Sequence, residues 1–252
     1  MIDRANTGAS KSHRGDFETE KPSLRIVREL ALRVIRSRPS LPFLLPTEPV
    51  LCEEHKVSRT VLREAVRTLQ AKGLVKVTQG QGMVAQPPSL WNLLDPEVLN
   101  WQCEVGVDEH FVNNLYEVRS IFEPAIAAWA ARRASDEDIE RLEQCYQRMS
   151  AAVTDAEAFI RTDMEFHRII AESCGNEILA RFSYSIETAL RAGRDISIKV
   201  PTGWEESCAT HKLVVDSIKH RDPEGAAASV LVIVRKAFRD IEEVLAQNKT
   251  AK

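Results

Sequence analysis

The chain has 252 residues, 44% of them hydrophobic, and 34 Lys and Arg against 37 Asp and Glu give a formal net charge of −3. That length and apolar content suffice for one large or two ordinary cores and exclude a globally disordered chain. No apolar run approaches the roughly 20 residues that span a bilayer, the N-terminus is no secretory leader, and five singly scattered cysteines read as reduced thiols, so the expected compartment is the cytoplasm.

The charge is unevenly divided. Residues 1–88 carry 15 Lys and Arg against 9 Asp and Glu, and the remainder is acidic, so the first third is the part suited to a polyanion. Residues 1–20 mix charges, Ser and Gly without period and read as a disordered arm. Ser23 is a plausible cap for a helix whose stripe is Leu24, Val27, Leu30, Ala31, Val34 and Ile35. Thr47 with Pro49 starts a short helix to Lys56, and Ser58 caps a second over Arg59–Lys72. The second buries Val61, Leu62, Ala65, Val66 and Leu69 on one side and is basic on the other. Gly73 closes it in the left-handed region, and Leu74–Thr78, a turn at Gln79–Gly82 and Met83–Ala85 read as a hairpin.

Residues 21–88 therefore predict a winged helix-turn-helix. Ser58, Arg59, Thr60, Arg63 and Arg67 are placed for the major groove of double-stranded DNA, and Gly80, Gln81 and Gly82 form the wing tip. A basic helix face can be nothing more than a solvated one, but the helix pair together with the glycine-tipped hairpin favours DNA.

Pro87 and Pro88 forbid continuation of the sheet, and residues 89–107 read as a linker. Its Trp91, Trp101 and the Asp95-Pro96-Glu97 helix start make it too apolar for a free tether, so it is expected to clamp one domain against the other. Residues 108–252 predict an all-α domain of six helices: Asp108 to Arg133, Ser135 to Ala152, Asp155 to Cys174, Glu177 to Asp195, Trp204 or Glu205 to His220, and Asp222 onward. The fold class is mainly α, an N-terminal winged helix-turn-helix followed by an all-α bundle.

Within the bundle, Asp163 and His167 lie four residues apart, hence on one helix face. The spacing suits metal ligands, and it equally suits a surface pair or a hydrogen-bonded core histidine. His211 shares a stripe with Val214, Val215 and Ile218, so its ring is expected to point inward, whereas His220 faces solvent. Arg119 either meets an anion inside the bundle or pairs with Glu123 at i+4. Arg191 and Arg194 are secondary cationic candidates.

Leu45-Pro46-Thr47-Glu48, Val57-Ser58-Arg59-Thr60, Val61-Leu62-Arg63-Glu64-Ala65, Gly73-Leu74-Val75 and Gly80-Gln81-Gly82 together resemble the GntR family of bacterial transcription regulators. The resemblance implies that Arg59, Thr60 and Arg63 contact an operator and that the Gly80–Gly82 tip enters the minor groove. Two departures are Pro49, where the family usually has arginine, and Pro39–Leu44 in place of a Pro-Gly bend. Asp163-x-x-x-His167 followed by His211 resembles the FadR-type helical ligand-binding (FCD) domain, which implies a divalent metal, zinc first, on Asp163, His167 and His211. The family's third histidine falls on Ile233, which leaves either no metal or three ligands with positions open to water or effector oxygens. Trp91-Asn92-x-Leu94-Asp95, Glu117-Val118-Arg119 and Glu123-Pro124-Ala125 are similar to repressors of galactonate catabolism within this group. That similarity implies a sugar acid as effector, with Arg119, Asp163, His167 and His211 around it.

The leading expectation is a homodimeric DNA-binding repressor, not an enzyme, that a small carboxylate releases from its operator. The alternatives are a hydrolase that activates water on a metal at Asp163, His167 and His211, and a regulator whose helical domain binds nothing, for which Ile233 argues.

Overall fold

The computed structural model describes residues 21–38, 43–80, 82–197 and 203–250. The expected arm at 1–20, the Pro39–Pro42 departure, Gln81 and the segment 198–202 lie outside the described residues. The chain divides into two compact units, one running to Trp91 and the other from Asn92.

In the first unit, α1 (Pro22–Ser37) starts one residue before the expected cap. Pro22 takes a first-turn position where its missing N–H costs nothing, so Ser23 is a buried residue of the first turn and not the cap. The buried stripe is Ile26, Val27, Leu30, Ala31, Val34 and Ile35, while Leu24 is 47% exposed. A short strand β1 (Phe43–Leu44) precedes α2 (Glu48–His55), at whose start Thr47 makes no side-chain cap bond. The helix-turn-helix is completed by α3 (Arg59–Ala71), where the Ser58 hydroxyl accepts from the Val61 amide at 3.4 Å.

After α3 the Leu74 amide donates back to the Leu69 carbonyl, with Gly73 in the left-handed region at φ 75°. The wing is β2 (Val75–Thr78) against β3 (Gly82–Ala85), antiparallel with Thr78 opposite Gly82. The sheet order is β1-β3-β2, so the wing has a third strand beyond the expected hairpin. Two residues are too few to show an alternating period, which is why that strand was not legible. The Trp91 indole closes the unit by donating to the Gln86 carbonyl at 2.8 Å.

The second unit is helical throughout: α4 (Pro96–Val105), α5 (Glu109–Arg133), α6 (Asp136–Ala151), α7 (Ala156–Ser173), α8 (Glu177–Ser185), α9 (Glu187–Ser197), α10 (Gly203–Lys219) and α11 (Pro223–Thr250). Asp95, Asp108 and Asp155 accept first-turn amides and Ser135 with Asp138 forms a capping box, as the sequence reads, and Asn176 likewise caps the start of α8. The helix expected over Glu177–Asp195 is two helices, broken at Ile186, and α10 begins at Gly203. Ile186 is 6% exposed and packs with Leu99, Ile160 and Leu190, so tertiary packing sets this break without a glycine or proline. α5 and α11 run against each other through the main core, with α7 and α10 alongside, among Ile126, Phe166, Ile170, Val215, Ile218 and Val234.

Gly73 offers a direct test of the first unit. A Cβ there would stand 2.1 Å from the Leu90 carbonyl oxygen, in a backbone conformation that disfavours L side chains. Gly73→Ala is expected to lower unfolding free energy by more than ~1 kcal/mol in a denaturant titration of the full chain. An unchanged midpoint would contradict the contact.

Candidate DNA interface and effector site

On α3 the apolar and basic faces separate cleanly. Leu62, Ala65 and Leu69 are fully buried, while Ser58, Arg59, Thr60, Arg63 and Arg67 are exposed. At the other end, Gly80 and Gly82 both have positive φ and open space around the position of a Cβ, as a tip that approaches a groove requires. The residues of this exposed face are not all unengaged. Arg63 Nε lies 3.3 Å from both carboxylate oxygens of Glu48, and its Nη2 lies 3.2 Å from Oε2. Glu48 thus holds one edge of the Arg63 fork and limits the directions it can take. Sequence reading overlooked this role, because Glu48 lies fifteen positions away on α2.

In the helical unit four helices converge on one cluster. Asp163 and His167 come from one face of α7, His211 from α10, Glu123 and Arg119 from α5, and Arg194 from α9. His211 is fully buried, and Asp163 and Arg119 are each 4% exposed. His211 Nε2 lies 3.0 Å and His167 Nε2 3.9 Å from Asp163 Oδ1, while Arg194 Nε pairs with Asp163 Oδ2. Arg119 Nε donates to Glu123 Oε1 at 2.6 Å, and Glu123 Oε2 lies 3.5 Å from His167 Nδ1.

Burial sets the protonation states. It pushes the His167 imidazole down to about 4 against the attraction of Glu123. It does the same to His211, also about 4, against the hydrogen bond to the Ser207 carbonyl. For Glu123 burial acts upward, but Arg119, His167 and Arg194 together outweigh it and hold the carboxyl at about 2. Burial, reinforced by Arg119, brings Arg194 down to about 9, which leaves it cationic at neutral pH.

These states make a metal fit. Neutral His211 donates Nδ1–H to the Ser207 carbonyl at 2.6 Å, so the lone pair of its Nε2 faces the Asp163 carboxylate. Two acceptors facing each other call for a cation between them. Asp163, His167 and His211 can bring one ligand atom each within 4.8 Å of one another, and both Nε2 atoms are buried without a hydrogen-bond partner. The partners of the opposite nitrogens, a backbone carbonyl for His211 and a carboxylate for His167, are those that usually orient metal-binding imidazoles. Ile233, 6% exposed, supplies no further ligand.

Other sequence candidates resolve individually. Arg119 turns inward as expected and meets Glu123, the alternative the spacing allowed. Arg191 is exposed and pairs with Glu157, while His220 is exposed. Arg194, only a secondary candidate, is at the centre of the cluster, and nothing in the local pattern of α9 distinguishes it from Arg191 except the face it occupies.

A DNA-reading winged helix and a helical unit with a buried ligand-type cluster define a bacterial transcription regulator of the effector-responsive kind. Residues 22–84 match the family described as bacterial regulatory proteins, gntR family, and residues 114–236 match the FCD domain. The Galactonate operon transcriptional repressor of Escherichia coli is 33% identical over 223 residues, spanning 87% of this chain and 96% of that protein. The HTH-type transcriptional repressor NanR of Cronobacter sakazakii is 29% identical, spanning 82% and 80%. Among solved structures, Lar, which controls the expression of the Listeria monocytogenes agr system, superposes with a TM-score of 0.62 at 21% identity, over 90% of this chain and 99% of that one. Escherichia coli McbR/YncC superposes with a TM-score of 0.52 at 17% identity, over 91% and 100%. These two likenesses concern the fold alone.

The chain belongs to the GntR family, with an FCD effector-binding domain. Its function is DNA-binding transcription regulation, and the hydrolase alternative finds no support among these relatives, which are regulators. No helix among the described residues is long and apolar enough to cross a membrane.

The depressed imidazoles predict an acid sensitivity for the metal-free protein. Both would stay neutral in the fold down to about pH 4, whereas the unfolded chain protonates them near 6.5. Their contribution is therefore complete above pH 6.5 and is lost as pH falls from 6.5 to about 4. Melting of chelator-treated protein should decline through that window. His211→Gln should flatten the decline, and an equally steep profile in that variant would contradict the assignment.

Proposed function

We propose that the protein is a cytoplasmic homodimeric repressor of sugar-acid catabolism that a sugar acid releases from its operator. The observation that carries this reading is the 33% identity to the galactonate operon repressor over nearly the whole of both chains. Arg59, Thr60, Arg63 and Arg67, with Ser58, would read or grip the major groove, and Gly80, Gln81 and Gly82 would enter the minor groove.

Asp163, His167 and His211 would hold a divalent ion, zinc by its nitrogen and oxygen ligand set. When bound, the ion supplies a fixed positive charge that attracts a carboxylate or hydroxyl oxygen. The remaining residues support this role. Arg119 fixes Glu123, Glu123 fixes the His167 ring, and Ser207 fixes His211, so the donors are oriented before any ligand arrives. Around the ion, Asp163 and Glu123 balance Arg119 and Arg194, both histidines being neutral. A divalent ion would therefore leave a buried excess of two positive charges, which an anionic effector reduces and a neutral sugar does not. Residues 89–107 would carry the resulting shift to the winged helices, so that their spacing no longer matches the operator half-sites.

The experiment is a gel-shift series with DNA upstream of the genes beside this one, with and without galactonate. Wild type should bind and be released by the acid. Arg59→Ala or Arg63→Ala should each cost about 1 to 3 kcal/mol if it reads a base. DNA binding that no aldonate alters would overturn the sugar-acid reading. Elemental analysis of the purified protein should find one divalent ion per chain, removable by chelation, and metal-free protein that still responds to galactonate would overturn the metal assignment.

A further inference from the structure

Resting on the assignment of α3 to the major groove, we propose that Glu48 is a specificity-determining residue of operator recognition, which confines Arg63 to reading a guanine and withholds it from the phosphate backbone. The effect is exerted through Arg63, so Glu48 is a positioning residue and need not touch DNA itself.

A guanidinium carries five N–H groups on two planar edges, one formed by Nε and Nη2 and the other by Nη1 and the second Nη2 hydrogen. Glu48 occupies the first edge, with Nε 3.3 Å from both carboxylate oxygens and Nη2 3.2 Å from Oε2. The second edge is a complete two-donor fork directed away from that carboxylate, on a side chain that is 62% exposed. Such a fork matches the O6 and N7 acceptors of guanine, and no other base presents two acceptors in the major groove.

Charge separates the two uses of this arginine. A phosphate contact draws its free energy from net positive charge that displaces counterions. Arg63 and Glu48 together carry none, and a phosphate brought to Arg63 also meets the like charge of the carboxylate. The edge of a guanine is neutral and meets no such repulsion. Arg59 and Arg67 lie one turn to either side of Arg63 on the same exposed stripe, and neither has an ion-pair partner among the described residues. The stripe is thus divided, with uncompensated cations at its ends suited to phosphates and a charge-compensated fork between them suited to a base.

Glu48 is itself held in place. It opens α2 with Pro49 in the first turn, where the ring fixes the backbone φ and the helix end favours negative charge. Leu51 of α2 and Leu62 of α3 are fully buried, so two packed helices set the approach of Glu48 to Arg63.

The test is selection from a randomised double-stranded DNA pool by the full-length protein, followed by titration of the selected duplex and a scrambled duplex across salt concentrations. Wild type, Glu48→Gln, Arg63→Ala and the double variant are compared. Both side chains are exposed, so all four proteins should melt alike. Wild type should enrich a guanine at a position that Arg63→Ala no longer selects. Glu48→Gln should lose about tenfold or more in discrimination at that position, as expected for a loosened bidentate contact. It should also bind the scrambled duplex more tightly and steepen the logarithmic salt slope by about 0.9, the increment for one more neutralised phosphate. In the Arg63→Ala background the same change should leave base preference unaltered, whereas a merely structural Glu48 would weaken both duplexes alike. Wild-type discrimination and salt slope in Glu48→Gln overturn this inference and leave α3 in the groove. A selected sequence unchanged in Arg63→Ala overturns both.

Discussion

The helical unit depends on one constraint, the burial of the Asp163 carboxylate at 4% exposure in an otherwise apolar bundle. An ionised carboxylate removed from water must be compensated or its burial is prohibitive. Arg194 supplies that compensation at one oxygen, while the imidazoles of His211 and His167, held by the Ser207 carbonyl and the Glu123 carboxylate, turn lone pairs and not donors toward the other. Glu123 in turn needs Arg119. The result is a chain of mutually dependent groups from α5, α7, α9 and α10, in which a change to one leaves another buried without a partner.

The winged unit solves a different problem, the control of mobile cations on an exposed face. Arg63 is exposed and would otherwise sample many rotamers. Its three contacts to Glu48 restrict that freedom in advance, while α2 and α3 are fixed by Leu51, Leu62 and Leu69. An exposed ion pair adds little to stability, so its value here lies in orientation rather than in folding energy.

The division between what was and was not legible in the sequence follows from range. Caps, stripes and terminators are local, and Ser58, Gly73, Asp108 and Ser135 marked their helix ends because each acts within three or four residues. The Asp163 and His167 pair was legible for the same reason, and His211 through its apolar stripe. Contacts between helices carry no such mark. The Glu48 hold on Arg63, the break at Ile186 and the approach of Arg194 to Asp163 all depend on which helix packs on which. Pro22 is the local exception: serine at 23 is a fair cap by type, yet the ring before it fits the first turn better and displaced the boundary.

How such a cluster answers a ligand follows from the same charge balance. A ligand can shift a conformational equilibrium only by its differential affinity for the two states. In the arrangement described, Asp163 and Glu123 are already neutralised by Arg194 and Arg119, so an isolated anion finds little free positive charge and an isolated cation little free negative charge. A divalent ion would bring two positive charges to the cluster and a monocarboxylate would offset one of them, so each would raise the affinity for the other by the same factor. The ion would join α7 to α10 through Asp163 and His211. A signal that required both would be insensitive to metal alone or to stray anions alone.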